Sequence, residues 1–452
     1  MLASTPVPRL LWKLAAPAMA GMVTMALYHV VDTIFIGRGV GSEAIAGVTI
    51  VFPLIMLLMA LGMMFGIGAA SIISRRLGAG DTHYAERTLG NAICLSTLSG
   101  IAITAISLPG IESLMRMLGA SPSIHGYATE YAVVLLAGSV FAVYPMMANN
   151  LARAEGNARV AMNTMILGAT LNMALDPLFI FGLHLGVRGA AIATVISQMV
   201  TAVYITRYFV SGQSTLHLHL RNLRLDRTIS AQIVSVGFPS FVRMGAASIM
   251  VLIINRTLGT HGGDMSIAAF GIVNRSMVFL TMPLLAIAQG LQPILGFSSG
   301  AGRYDRALEV TKLSLGVASM FSLVSFLVLM VFPGQLMSVF TTDSALIAEG
   351  VHAARRMFLV FFLVGFQIVG STVFQALGKV VKTLVTSTSR QLLFLVPLIL
   401  ILPRTMGTDG VWLAFPIADV MSFILVLSLV IPQMNEFRRR HRGVTEDVPA
   451  RM

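Results

Sequence analysis

The feature that most constrains this chain is a succession of apolar runs, each about twenty residues or longer, separated by short loops. A run of that length, wound as an α-helix, matches the hydrocarbon thickness of a bilayer. The 452 residues have room for about twelve of them. With 56% hydrophobic and 11% charged residues, the chain lacks the polar groups needed to cover a folded surface in water. The runs are continuous and not alternating, which favours helices over a membrane barrel. The expectation is therefore an all-α membrane protein of twelve transmembrane helices in two six-helix bundles. The first run, Leu14 to Ile36, carries Asp32 and leads directly into the next hairpin. It reads as a retained helix and not as a removable signal. Cys94 is the single cysteine and sits in an apolar run, so no disulfide forms within one chain.

A formal charge of +12 raises the question of nucleic acid, and the placement of the charges answers it. Alternate loops are basic: Arg75, Arg76 and Arg87; Arg153 and Arg159; Arg207, Arg221, Arg224 and Arg227; Arg303, Arg306 and Lys312; Lys379 and Lys382. With Arg9, Lys13 and the tail arginines 438, 439, 440, 442 and 451, that side holds about 21 of the 31 Lys and Arg. The positive-inside rule puts both termini and these loops in the cytoplasm. The charge records orientation, and no nucleic-acid partner is expected. The tail run Arg438 to Arg442 is suited to touching anionic membrane lipid.

One offset of about 222 residues superimposes the two halves. Pro17 falls on Pro239, and "RLGAGDTHYAER" (76–87) falls on "SSGAGRYDRALE" (298–309). Gly78 and Gly80 then match Gly300 and Gly302, and Gly156 matches Gly378. The organisation read from this is an N-lobe over 1–210, a cytoplasmic linker over 211–230, a C-lobe over 231–434 and a basic tail over 435–452. The linker is amphipathic and is expected to lie along the membrane surface. An even number of helices per copy gives both copies the same orientation, a transporter architecture suited to rocking. Pro17, Pro53, Pro145, Pro177, Pro239, Pro283, Pro293, Pro397 and Pro416 fall in or beside the apolar spans, where they kink helices. Gly62, Gly66 and Gly68 are read as helix-packing positions. No Walker motif is present, so ATP is not the energy source within this chain.

Acids inside the membrane carry the most information, since each costs on the order of 3 kcal/mol at mid-bilayer. Three fall well inside a span: Asp32, Asp176 and Asp419. Asn172 lies one turn before Asp176 on the same face, with Thr194 and Asn149 or Asn150 able to complete a polar cluster. Carboxylates, amides and a hydroxyl are hard oxygen ligands, suited to a proton or to Na⁺ held by Asp32, Asn172, Asp176 and Thr194. Two carboxylates crowded in low dielectric favour a proton between them, the requirement for a proton exchanger. The alternative reading is that both acids only bond the bundle together. The repeat supplies a control: Asp32 aligns with Ile254, Asn172 with Phe394, Asp176 with Leu398 and Thr194 with Phe415. The second half keeps the helices and loses the polar groups, as a specialised site would and a packing requirement would not. Asp419 is expected to pair with embedded Arg243, Arg275 and Arg390. Met22, Met25, Met63, Met64 and Met244, with Arg243, Arg275, Gln289, Gln292 and Gln367, are candidate lining for a substrate cavity.

The strings "VVDTIFIGRGVGSEAIAG", "VFPLIMLLMALGMMFGIGAASIISRRLGAGD", "NNLARAEGNARVAMN" and "LNMALDPLFIFGLHLGVRGAAIATVISQ" resemble the multidrug and toxic compound extrusion (MATE) family of the MOP superfamily, closest to its DinF-like branch. The resemblance implies a secondary antiporter with two six-helix lobes, exporting small organic and often cationic compounds against H⁺ or Na⁺. It implies a coupling site at Asp32, Asn149, Asn172, Asp176 and Thr194, with no cofactor beyond the coupling ion. A monomer in the plasma membrane of a prokaryote is expected. The NorM-like branch places acidic residues in the C-lobe cavity, whereas here the seventh helix offers Arg243 and Asn255, and the tenth Gln367. Competing readings are a flippase for a lipid-linked oligosaccharide, an intramembrane enzyme and a passive channel. The nine histidines do not converge in sequence on a nucleophile–base or metal arrangement, which argues against the enzyme.

Overall fold

A computed structural model describes residues 1–446; the end of the basic tail, with Arg451, lies outside the described residues. Among these residues ten helices are long and apolar enough to cross a membrane, and two further spans are helix pairs bent at a break. The first half contains α1 (Val7–Gly39), α2 (Ser42–Gly78) and α3 (Thr82–Ser107). It continues with α4 (His125–Ala137 with Ser139–Ala154), α5 (Ala158–Gly182) and α6 (Gly186–Val210). The second half contains α7 (Arg227–His261), α8 (Gly263–Gly300) and α9 (Tyr304–Val331). It ends with α10 (Ser344–Met357 with Phe361–Ala376), α11 (Val380–Met406) and α12 (Thr408–Glu446).

The repeat is written into the helix ends. A displacement of 222 residues carries Gly78 to Gly300, Thr82 to Tyr304, Ala154 to Ala376 and Ala158 to Val380, each a helix boundary. The glycines matched in sequence mark the turns that make this so. Gly80 and Gly302 have φ of 79° and 69°, and Gly156 and Gly378 have φ of 97° and 70°. This left-handed backbone ends a helix, and side chains other than glycine adopt it at a cost.

Spans four and ten are broken, bending by 56° and 50°. A break in lipid strands backbone carbonyls, which must find donors within the protein. Thr104 Oγ1 donates to the Leu136 carbonyl at 2.6 Å beside the first bend. Ser322 Oγ donates to the Phe362 carbonyl at 2.9 Å beside the second.

The chain divides into two compact units, Ala16–Phe241 and Met1–Ala15 with Val242–Met452. The boundaries fall inside α1 and α7, so the opening turns of α7 pack with the first unit. There the carbonyls of Met64 and Ile233 pass over Gly237 and Gly68, leaving no room for a Cβ at either. Gly62 and Gly66 let α2 approach Met146, Met147 and Asn150 of α4, less closely than at that crossing. The sequence reading of these glycines as packing positions therefore holds. In the second unit the first residues of the chain are gripped by arginines. Arg306 donates to the carbonyls of Leu2 and Thr5 at 3.1 and 2.8 Å, and Arg303 to that of Ala3 at 2.7 Å.

The linker is tied to the first unit by several of its polar groups. Glu155 accepts from Ser214 Oγ at 2.7 Å, from Thr215 N at 2.9 Å and from the Tyr208 hydroxyl. Arg87 pairs with Asp226 at 2.6 Å, and Asn91 Oδ1 accepts from Asp226 N at 2.7 Å. Leu216 is fully buried.

Candidate functional site

The site lies in the first unit, where α1, α5 and α6 converge with the first arm of α4, His125–Ala137. Small residues let these helices approach. A Cβ on Gly189 of α6 would stand 2.8 Å from the Phe179 carbonyl of α5, and Ala190, Ala191 and Ala193 are fully buried beside it. On α1, Gly21 faces Met165, and Gly39 faces Ile180 and Phe181, both from α5. Pro177 ends the regular part of α5, and a π-helical turn, Leu178–Gly182, follows it. Such turns recur at functional sites because they unbalance the backbone hydrogen-bond ladder locally.

This packing brings Asp32 and Asp176 within hydrogen-bonding reach of one another, both buried. Asn172, 2% exposed, bridges onward from the pair. Its Nδ2 donates to Asp176 Oδ2 at 2.9 Å, and its Oδ1 faces Thr194 N at 3.1 Å and Thr194 Oγ1 at 3.2 Å. Each carboxylate retains one oxygen, Asp32 Oδ1 and Asp176 Oδ1, that is buried and unpartnered. A buried unpaired acceptor costs on the order of 1–3 kcal/mol, so the pair is poised to take up a donor or a cation. Four of the five expected coupling residues are therefore gathered in one cluster. Asn149 is buried on α4 with its Oδ1 unpartnered, and no hydrogen bond joins it to the others. Asn150 instead bonds the Met146 carbonyl and Arg153.

Sequence reasoning missed two tyrosines. The Tyr28 and Tyr131 hydroxyls both reach Thr194, and both rings lie near Asp32 and Asp176. Tyr28 had a signal, since it precedes Asp32 by one helical turn. Tyr131 had none, because its approach depends on how α4 packs.

The expected cavity residues are distributed over both units. Met22, Met25 and Met63 are half-buried and Met64 is buried in the first. In the second, Arg243, Met244, Gln289 and Gln292 are half-buried, Arg275 is exposed and Gln367 is buried. The expected association of Asp419 with three arginines reduces to one ion pair. Arg390 Nε donates to Asp419 Oδ1 and Arg390 Nη2 to Oδ2, while Gln367 donates to the Asp419 carbonyl at 3.2 Å. A planar guanidinium matches both carboxylate oxygens at once, which makes this the strong form of the pair. Arg390→Ala should cost about 3–5 kcal/mol, because Asp419 would be buried unpaired. Arg390→Leu combined with Asp419→Leu should recover most of it. Melting of the purified variants in detergent, compared as a double-mutant cycle, checks both.

Twelve apolar spans, an internal repeat and a buried ionisable cluster in one copy of it fit a membrane transporter. Comparison with known proteins gives the family. The MatE family model matches residues 17–178 and again 239–401, one match per half, and the chain belongs to this family. It is similar to the multidrug export protein MepA of Staphylococcus haemolyticus, 25% identical over 93% of this chain and 92% of that one. MepA of Staphylococcus aureus is 24% identical over 94% of each. Among solved structures, the MATE multidrug transporter DinF-BH is 44% identical, with a TM-score of 0.89 over 97% of this chain and 99% of that one. A MOP superfamily transporter from Pyrococcus furiosus is 30% identical, with a TM-score of 0.90 over 97% and 98%. The chain is a transporter fold and not an enzyme.

Proposed function

We propose that the protein is a secondary antiporter that exports organic, often cationic, drugs or toxic compounds in exchange for H⁺ or Na⁺ by alternating access. The lobes are residues 1–210 and 231–434, joined through 211–230. It works as a monomer in a bacterial plasma membrane with both termini cytoplasmic. The observation that carries this reading is the buried Asp32–Asp176 pair with its unpartnered oxygens, present in only one of two otherwise matching halves. The names of the relatives, multidrug export proteins, support the substrate class.

Between the two ions we favour H⁺, on the closeness of the two acids. A proton shared by the two carboxylates removes their mutual repulsion without further ligands. The ion moves the two-state equilibrium only through its differential affinity for the two states. Whichever conformation brings the carboxylates together is the one that proton binding favours.

Transport in proteoliposomes tests this, with a pH gradient and a Na⁺ gradient imposed separately and a panel of cationic dyes as substrates. Dye movement driven by the pH gradient alone is the expected result. Movement that ignores both gradients would refute the antiporter, and movement driven by Na⁺ alone would reassign the ion.

A further inference from the structure

Helix α9 carries an open groove of about 620 Å³ that the proposed transport cycle does not use. Asp305, Leu308, Glu309, Lys312, Gly316 and Met320 line it. The spacing from Asp305 through Glu309, Lys312 and Gly316 to Met320 keeps these residues in one row on the helix surface. The row changes character along its length. At the start of α9 it presents three exposed charges, Asp305, Glu309 and Lys312. Beyond Lys312 it becomes apolar, and exposed Leu323, Val324, Leu327 and Val331 continue α9 as a lipid-facing helix. Gly316 interrupts the ridge of side chains: it is exposed, and a Cβ built there would meet nothing within 4 Å.

The three charges have no ion-pair or hydrogen-bond partner among the described residues, although Glu309 and Lys312 are only three residues apart. Two carboxylates and one ammonium therefore stand free where a helix start meets the membrane boundary, above an apolar slot. We infer that this groove docks a phospholipid whose headgroup ends in a primary ammonium, of the ethanolamine type. The headgroup ammonium donates to Asp305 and Glu309, Lys312 takes the phosphate, and an acyl chain lies along Gly316 and Met320. Charge-assisted bonds from N–H to carboxylate are short and directional. A trimethylated choline headgroup has no N–H to give. A glycerol headgroup would bring a phosphate toward two carboxylates with no ammonium to offset it. The complementarity thus selects among lipids and goes beyond general lipid contact.

Native mass spectrometry of the full-length protein tests the inference, using equimolar phosphatidylethanolamine, phosphatidylglycerol and phosphatidylcholine with matched acyl chains. The native chain should retain phosphatidylethanolamine about tenfold over the other two, as expected for one or two charge-assisted bonds. Asp305→Asn with Glu309→Gln should abolish that preference, and Gly316→Leu should lower retention of all three lipids by filling the slot. All the substituted positions are exposed, so the double variant should melt near the native temperature and Gly316→Leu at or above it, which separates lipid recognition from folding. Equal retention of the three lipids by the native chain, preferential retention of phosphatidylglycerol, or an intact preference in the double variant would each overturn the inference.

Discussion

Asp32→Asn and Asp176→Asn should each abolish gradient-driven dye efflux, lowering the initial rate by at least about tenfold, within the range of one coupling free energy. An amide keeps the shape of the carboxyl group, resembles its protonated form in carrying a donor beside an acceptor, and cannot change charge, so it separates coupling from architecture. Both variants should be monodisperse and should melt at or above the native temperature, because each removes one buried unpartnered acceptor and the repulsion between two acids. Dye binding in the absence of a gradient should persist. The readout is efflux from proteoliposomes under an imposed pH gradient, beside melting of the same preparations. Native rates in either variant would remove that residue from the coupling site.

Gly237→Val is expected to have the largest effect on stability. A Cβ at Gly237 would collide with the Met64 carbonyl, a backbone atom held in the middle of α2 that cannot rotate away. Overpacking of this kind costs about 3 kcal/mol, and more where the obstacle is backbone. Gly68→Val should behave similarly against the Ile233 carbonyl, since the same close crossing is seen from the other helix. Gly245→Ala and Gly271→Ala provide the control. Neither position has an atom within 4 Å of a new Cβ, and alanine should stabilise these helices by up to about 1 kcal/mol. Melting in one detergent across the four variants distinguishes close packing from a general intolerance of glycine replacement.

The two acids and their immediate partners were legible for a physical reason. A charge in lipid is so costly that its presence alone marks a site, and a duplicated chain shows which charges the fold does not require. Helical spacing added Asn172, on the same strip of α5 as Asp176. The length of the apolar runs indicated twelve spans, and the repeated glycines marked the duplication; in the structure they hold left-handed turns, where φ near 70° strongly favours that residue. All of these are local properties, carried by a residue and its neighbours within a turn or two.

What tertiary structure decided is everything that depends on where a side chain lands across a helix interface. It bent spans four and ten, where Thr104 and Ser322 supply hydroxyls to carbonyls more than thirty residues away. Tyr131 reached Thr194 only because α4 packs against the cluster. Asp419 took Arg390 and left Arg243 and Arg275 aside, a choice among three equal charges that only geometry could make. The linker found Glu155 and Arg87 as partners, because composition records amphipathicity and not which side chains lie near. Sequence by itself determined which residues cannot face lipid unaided; the fold decided which partner each of them found.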